Sequence, residues 1–556
     1  MPLWAVAQPK FASKVKKGIV SLNAYDQQGN LLHQGTGFYV GANGEAITDY
    51  KVLKGAYKAV AVDAAGKQAD VDCVLGADDA YSLARFRVNV KGNTVLPVQA
   101  SVLPMKSTVF VLKIGEGGVQ ASEEAVVADT SLIQGKYAYY GLDKKVDDGL
   151  IGAPVFDASG NLVGVLHSSI GDKSYVLDIR FREELKIVAI PSASAAIALG
   201  NIFIPKSLPE TAEEALVYLY FRSRSTSNEE YLDMVNRFIA AFPQNAEGYL
   251  RRATPLIDML RFDDADADLQ NYLSLVDDKA MGNFNVASTI NDKLNLQPEP
   301  AYEKWNRDVA LQYVDKAISL NEAKPAGDEQ AASDSRYKIL KAQILSSKKD
   351  YDAAIAIYEA LNVGEGRAPS YYYAISLARE GRGDSIGAVV EPMDSAIVMM
   401  GTPLPGEAAN YVIRRGQLYA NAGRYRDAVQ DYNQYCYLLN NKVSAVFYYE
   451  RSQIEVNARM FQQALDDINR AVEMAPRVPL YYIEKAALTL RVNQLDDCIQ
   501  ACQTAIQLNP AIIDSYRILG YAQLQKGDKT NARLNLQKAI DMGDEGAQKI
   551  MDTYLK

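Results

Sequence analysis

Residues able to carry acid–base or nucleophilic chemistry are sparse in this chain of 556 residues, which has only two histidines, His33 and His167. His167 stands in Gly164-Val165-Leu166-His167-Ser168, an imidazole beside a hydroxyl, the base and nucleophile that acyl transfer needs. Neighbours on a strand point to opposite faces, so His167 is expected to be a satisfied imidazole at the edge of a β core, with a relocated hydrolytic site as the rival reading. Of the four cysteines, Cys73, Cys436, Cys498 and Cys502, only the last two share a helix face, four residues apart. They form no disulfide framework and are expected to pack as small apolar residues. With no Cys/His cluster at ligand spacing, no metal site and no cofactor is expected.

Three further motifs, the first in two stretches, are informative for what they lack. Gly35-Thr36-Gly37-Phe38 is followed by Ala46-Ile47-Thr48-Asp49-Tyr50-Lys51-Val52-Leu53, then by Asp79-Ala80-Tyr81-Ser82-Leu83-Ala84, then by Gly149-Leu150-Ile151-Gly152-Ala153-Pro154-Val155-Phe156. In order and spacing these resemble the motifs around the triad of trypsin-like serine proteases of the bacterial HtrA type. The resemblance puts Lys51 where that family has its histidine, Ser82 where it has its aspartate and Ile151 where it has its serine. Ile151 offers no hydroxyl, a lysine ammonium is a poor general base unless burial strips its proton, and Ser82 has no imidazolium to stabilise. A Ser–Lys pair would need a serine at 151. The resemblance therefore implies a pseudoprotease, not an enzyme, with Gly149 and Gly152 still shaping the loop. Its cleft could hold an extended peptide as an added strand, with His167 as a peptide-binding candidate, or the domain could serve only as a structural support; both readings stay open.

The elements that would position these motifs read as strands. Short apolar runs such as Gly18–Leu22, Lys58–Val62 and Leu162–Leu166 alternate with turns such as Asp26-Gln27-Gln28-Gly29-Asn30, Asp63-Ala64-Ala65-Gly66 and Asp157-Ala158-Ser159-Gly160-Asn161. This punctuation belongs to an all-β sandwich or barrel. The resemblance makes it a trypsin-like double β-barrel over 8–189.

The rest of the chain reads as an all-α superhelix. Small residues recur at Ala428, Ala464, Cys498 and Ala532, spaced by 36, 34 and 34. Ala471, Ala505 and Ala539 follow the last three by seven residues, and Ala354 and Ala388 extend the series backwards. This resembles the tetratricopeptide (TPR) repeat, with about nine units starting near 212, 246, 291, 335, 369, 409, 445, 479 and 513. Stretches 277–290 and 400–408 are expected to be loops or extended helices, and 324–334 a loop. Each unit would be two antiparallel helices that bury their apolar faces only by stacking, leaving a concave groove. The resemblance places packing aromatics at Tyr372, Tyr448, Tyr482 and Tyr516. It places Tyr373, Ile413, Tyr449, Ile483 and Arg517 at groove-facing positions, where peptide binding and packing are equally open. The Lys/Asn/Arg clamp that holds chaperone C-termini in some members is absent.

Composition bounds the function class. The chain is 48% hydrophobic and 23% charged, as folded proteins are, and its net charge of −9 argues against nucleic acid as a partner. No run of about 20 apolar residues offers a transmembrane span. Ala5-Val6-Ala7 before Gln8 has the form of a signal-peptidase site, so residues 1–7 are expected to be the remnant of a signal peptide and the protein to be exported. Small residues and three prolines in 190–210 mark a linker before a TPR domain over 211–556. The expectation is a non-catalytic protein–protein interaction scaffold in a bacterial cell-envelope complex, periplasmic or associated with the outer membrane. The rivals are a serine-type hydrolase with a relocated site and a peptide-binding regulator that uses the degenerate cleft.

Overall fold

A computed structural model describes residues 9–115 and 118–555. The expected signal remnant at 1–7 lies outside them. The chain divides into two compact units, Met1–Asp278 and Lys279–Lys556.

The first unit opens with two closed antiparallel barrels of six strands. Strands β1 (Ile19–Tyr25), β2 (Leu31–Tyr39), β3 (Glu45–Asp49), β4 (Lys58–Val62), β5 (Gln68–Asp78) and β6 (Leu83–Val88) close in the order β1-β2-β3-β6-β5-β4. Strands β7 (Thr108–Gly115), β8 (Gly118–Ile133), β9 (Tyr137–Leu142), β10 (Pro154–Asp157), β11 (Leu162–Ile170) and β12 (Lys173–Asp178) close in the order β10-β11-β12-β9-β8-β7. Strand alternation builds the first core: Val20, Leu22 and Ala24 of β1 point inward with Ala46, Ala59, Ala61 and Phe86. The expected turns form with one chemistry used three times. Asp26, Asp63 and Asp157 each accept the N–H groups two and four residues on, and Gly29, Gly66 and Gly160 take positive φ near 80° one step before the end.

Three short helices accompany the barrels: α1 (Ala12–Val15) before β1, α2 (Tyr50–Leu53) between β3 and β4, and α3 (Ala193–Gly200) after β12. The segment read from sequence as a linker is built into the first barrel. Ala198, Ile202 and Ile204 are fully buried in its core. Val74 of β5 donates its N–H to the Pro205 carbonyl and accepts the Ser207 N–H, each at 2.8 Å. Ser194 Oγ donates to Asp78 Oδ2 at 2.8 Å. Its prolines mark irregular backbone, but Ile202 and Ile204 need a core, and the barrel supplies one.

Four more helices complete the first unit: α4 (Ala212–Arg222), α5 (Asn228–Ala241), α6 (Ala246–Asp258) and α7 (Phe262–Leu275). The second unit is all helical. Its pairs are α8 (Lys279–Leu296) with α9 (Arg307–Glu322), α10 (Asp328–Ser347) with α11 (Tyr351–Leu361), and α12 (Pro369–Arg382) with α13 (Ile386–Met399). Then come α14 (Ala409–Asn421) with α15 (Tyr425–Leu438), α16 (Ala445–Asn457) with α17 (Phe461–Met474), α18 (Pro479–Arg491) with α19 (Leu495–Leu508), and α20 (Ile513–Gln525) with α21 (Lys529–Asp541). Among the described residues this makes nine pairs, followed by a tenth element, α22 (Glu545–Tyr554). The recurring small residues Ala428, Ala464, Cys498 and Ala532 are fully buried, as are Ala471, Ala505 and Ala539.

Three details depart from the sequence reading. The third pair begins at Lys279 rather than 291, so the stretch expected as a loop or an extended helix is the latter, because Ala280, Asn283, Ala287 and Ile290 continue a buried stripe at helical spacing. Residues 328–334, expected in a loop, form the first turns of α10. In α13 the buried position is Val389, with Ala388 only half-buried, because α12 runs one residue longer than the first helices of the pairs that follow.

Candidate functional site

The three motif segments converge on one buried carboxylate, Asp49, at the end of β3. Asp49 Oδ1 caps α2 by accepting the Lys51 N–H at 2.7 Å and also accepts the Ser82 hydroxyl at 3.1 Å. Ser82 sits in the left-handed region, φ +49°, and its carbonyl accepts the Tyr50 N–H at 2.9 Å. The third segment lies against the same residue: a Cβ added to Gly152, whose φ is +84°, would stand 2.9 Å from Asp49 Cβ. Lys51 projects its side chain to solvent, and among the described residues its ammonium has no partner.

The loop carrying Ile151 is closed on itself. Asp148–Leu150 form a 3₁₀ turn whose cap, Asp147, accepts the Gly149 N–H at 2.9 Å. The Ile151 N–H donates to the Asp148 carbonyl at 3.2 Å, and the Gly152 N–H to the Leu166 carbonyl at 2.7 Å. The Ile151 side chain is half-buried against the core of the second barrel.

His167 does not follow strand alternation. The register of β11 on β12 slips between Leu166 and Ser168, so His167 is the extra residue of a β-bulge. The bulge turns His167 and Ser168 toward the same group: the Tyr139 hydroxyl lies 2.9 Å from His167 Nδ1 and 3.1 Å from Ser168 Oγ. The Tyr139 ring is stacked on Tyr175 at 5.3 Å. Burial pushes the imidazole below its ordinary range and the Lys51 charge adds to this, while the Asp49 carboxylate and a hydrogen bond to the Tyr81 backbone act the other way. His167 is thus brought within electrostatic reach of Asp49 and Lys51 and beside the Tyr81 backbone that precedes Ser82. Among the described residues no group of three or more His, Cys, Asp or Glu could hold a metal ion, and no helix is long and apolar enough to cross a membrane.

Asp49 and Tyr139 were missed in the sequence. Asp49 had a signal, an aspartate at the start of a helix whose second residue is Lys51. Tyr139 had none, because its role depends on the bulge.

On the helices, the groove-position residues are partly engaged with their neighbours. Tyr373 meets Tyr411 edge to face at 5.9 Å, Tyr449 meets Tyr481 at 5.2 Å, and Ile413 and Ile483 are half-buried. Arg517 Nη1 donates to Asp544 Oδ2 at 2.8 Å, holding the N-cap of α22, and Nη2 pairs with Asp514. Of the packing aromatics, Tyr448 is buried, while Tyr372, Tyr482 and Tyr516 are half-buried.

A second helical feature was not read from the sequence. Arg252, Arg415 and Arg451 each grip an aspartate 16 residues on through two parallel bonds, to Asp268, Asp431 and Asp467. The remaining guanidinium nitrogen reaches back to the preceding pair, at Asn236, Asp394 and Asn433 respectively. Each arginine therefore ties its own pair to the one before it.

Comparison with known proteins follows the same division. Residues 35–165 match the family model of the trypsin-like peptidase domain, and residues 335–361 that of the tetratricopeptide repeat. The chain is similar to the E3 ubiquitin-protein ligase CHIP of Arabidopsis thaliana, 32% identical over 83 residues, which are 15% of this chain and 30% of that protein. It is 32% identical over 76 residues to tetratricopeptide repeat protein 33 of Xenopus laevis, 14% of this chain and 30% of that one. It is 23% identical over 319 residues to the DnaJ protein P58IPK homolog of Arabidopsis thaliana, 55% of this chain and 57% of that one. The chain thus spans about a third of the length of the first two relatives. Among solved structures it is similar to the serine endoprotease from Yersinia pestis, with 14% identity, a TM-score of 0.29, and coverage of 33% of this chain and 66% of that one. A protease from M. tuberculosis in its active form matches with 18% identity, a TM-score of 0.28, and coverage of 38% of this chain and 94% of that one. A trypsin-like peptidase domain with two six-stranded barrels is therefore joined, in this one chain, to a long helical region that carries the tetratricopeptide repeat.

Proposed function

We propose that this protein is a non-catalytic scaffold for protein–protein interaction, exported to the periplasm or outer membrane of a bacterium. Its partners would be components of an envelope complex for assembly, secretion or uptake. The observation that carries the non-catalytic part is the closed loop at 149–151. A serine protease presents the N–H of its nucleophile, and the N–H two residues earlier, to the substrate oxyanion. Here the Gly149 and Ile151 N–H groups are both bonded inside their own turn. The side chain between them and the cleft is an isoleucine resting on the barrel core. Helical repeats that bury their faces against one another present surfaces, which supports the interaction role.

One observation favours a second reading. The Tyr139 hydroxyl gathers His167 and Ser168, a base and a hydroxyl, beside Asp49. A serine-directed fluorophosphonate probe separates the two. The scaffold reading expects no labelling of the folded protein. Labelling that disappears in both His167→Ala and Ser168→Ala assigns a hydrolase with a relocated site. The envelope setting is tested by affinity purification from gently solubilised membranes, which should return envelope proteins in fixed stoichiometry. A protein recovered alone would leave transient peptide binding in the degenerate cleft, and peptides crosslinking beside Lys51 and Ile151 would locate it.

A further inference from the structure

One end of the first barrel holds a cavity of about 440 Å³ that the reading above does not use. One side is apolar, with Val20, Tyr39 and Ala61 buried and Ala69 and Val90 half-buried, and Asn93 and Thr94 add polar surface. Its rim carries Lys16, Lys17, Lys67 and Lys91. All four are exposed, and among the described residues none has an ion-pair partner. Some other lysines of the barrels are paired, Lys58 with Asp70 at 3.0 Å, Lys145 with Asp148 at 2.8 Å and Lys173 with Asp129 at 3.2 Å, while Lys51 and Lys54, at the end of one short helix, have no ion-pair partner among the described residues and do not line this cavity. The one acidic residue among the lining residues is Asp63, whose Oδ1 is spent on the N–H groups of Ala65 and Lys67. Four lysines against one aspartate leave a formal charge of +3 around the cavity, on a chain whose net charge is −9.

Converging like charges repel, and a cleft with an apolar side concentrates their field on whatever enters it. The cavity falls in the size range of small-molecule sites, ~300–1,000 Å³. No arginine lines it. The guanidinium fork serves carboxylate and phosphate alike, whereas several ammonium groups act as separate point charges, a mode in which lysine also holds phosphate. We propose that this cavity binds a small anion bearing phosphate, with the phosphate among Lys16, Lys17, Lys67 and Lys91 and any organic body against Tyr39 and Val90. A free phosphorylated molecule and a lipid headgroup share this chemistry.

The test uses the full chain, with inorganic pyrophosphate in a calorimetric titration and, in parallel, sedimentation with phosphatidylglycerol or phosphatidylcholine vesicles. Saturable one-to-one pyrophosphate binding is expected. It should weaken by about tenfold or more in the Lys67→Ala/Lys91→Ala double variant and fall with added salt. It should be unchanged in Lys58→Ala, whose lysine is paired on the same barrel. Ala65→Trp keeps all four lysines but fills the mouth, and should abolish binding. Lysine-dependent retention on phosphatidylglycerol vesicles but not phosphatidylcholine, without pyrophosphate binding, would assign the headgroup as the source. The proposal is overturned if neither probe binds, if the double variant binds as the wild type does, or if Ala65→Trp leaves binding intact.

Discussion

The barrels and the helices are held by contacts of opposite reach. In the barrels the decisive bonds join residues far apart in sequence: Ser82 to Asp49 across 33 positions, Arg85 to the Leu185 carbonyl across 100, Ser194 to Asp78 across 116. In the helices the same bidentate Arg–Asp grip recurs at a separation of 16, and each arginine reaches only to the neighbouring pair. The difference shows what each fold asks of its sequence. In the barrels, Asp49 holds together segments that lie far apart in sequence, through the Ser82 hydroxyl and the close approach of Gly152. In the helices, each unit repeats a local solution that its neighbours reuse.

The largest test of this comparison is to cut one grip. Asp467→Ala leaves the Arg451 guanidinium without its bidentate partner in a site where its side chain is 12% exposed. Removing one member of a buried pair costs about 3–5 kcal/mol. Hydrogen exchange should show lost protection in α14 to α19 and unchanged barrels; a loss spread evenly over the chain would break the contrast.

A smaller effect sharpens the barrel side. Gly152→Ala forces a side chain onto a backbone at φ +84° and against Asp49 Cβ. The expected cost is about 1–3 kcal/mol, seen as earlier unfolding of the barrels with the helices unmoved. A neutral substitution would mean that the loop does not need its place against Asp49.

A third effect, smallest when read per pH unit, is a pH dependence confined to the helices. Glu455 is buried in α16, its Oε2 has no hydrogen-bond partner, and burial, aided by the Asp467 charge, pushes its carboxyl up to about 8. The folded protein therefore keeps a proton that the unfolded chain releases near its ordinary value of 4.5. Stability from this group is full below that value and declines as pH rises toward 8, by at most about 1.4 kcal/mol per pH unit. Denaturation of Glu455→Gln at pH 5 and pH 8 should show this decline removed. An unchanged slope would place its origin in other groups.

The period of the helices was legible because its cause is local. Ala428, Ala464, Cys498 and Ala532 are small because a neighbouring helix passes close, and the period writes that requirement directly into the sequence. The Arg–Asp grips escaped notice although Arg415 and Arg451, and Asp431 and Asp467, both recur at the 36-residue spacing of Ala428 and Ala464. An arginine and an aspartate 16 apart become partners only when two helices fold back on each other. In the candidate site the converging segments were readable and their centre was not. Asp49 reads as an ordinary helix cap until Ser82 and Gly152 are brought to it. The opposite-face expectation for His167 and Ser168 failed because strand alternation holds only where register is regular.

By itself the sequence determined the two kinds of structure, the Asp-x-x-Gly-x turns of the barrels, the period of the helices and the absence of a hydroxyl at 151. These follow from interactions between residues close along the chain, or from the chemistry of a single side chain. Tertiary structure alone decided that Asp49 is the hub of the motif segments, that the Gly149 and Ile151 N–H groups are turned inward, that a bulge joins His167 to Tyr139, and that four unpaired lysines ring one cavity. Each of those depends on where a distant strand or loop comes to rest, and strand pairing is set by the closing of the whole barrel, not by the residues on either side.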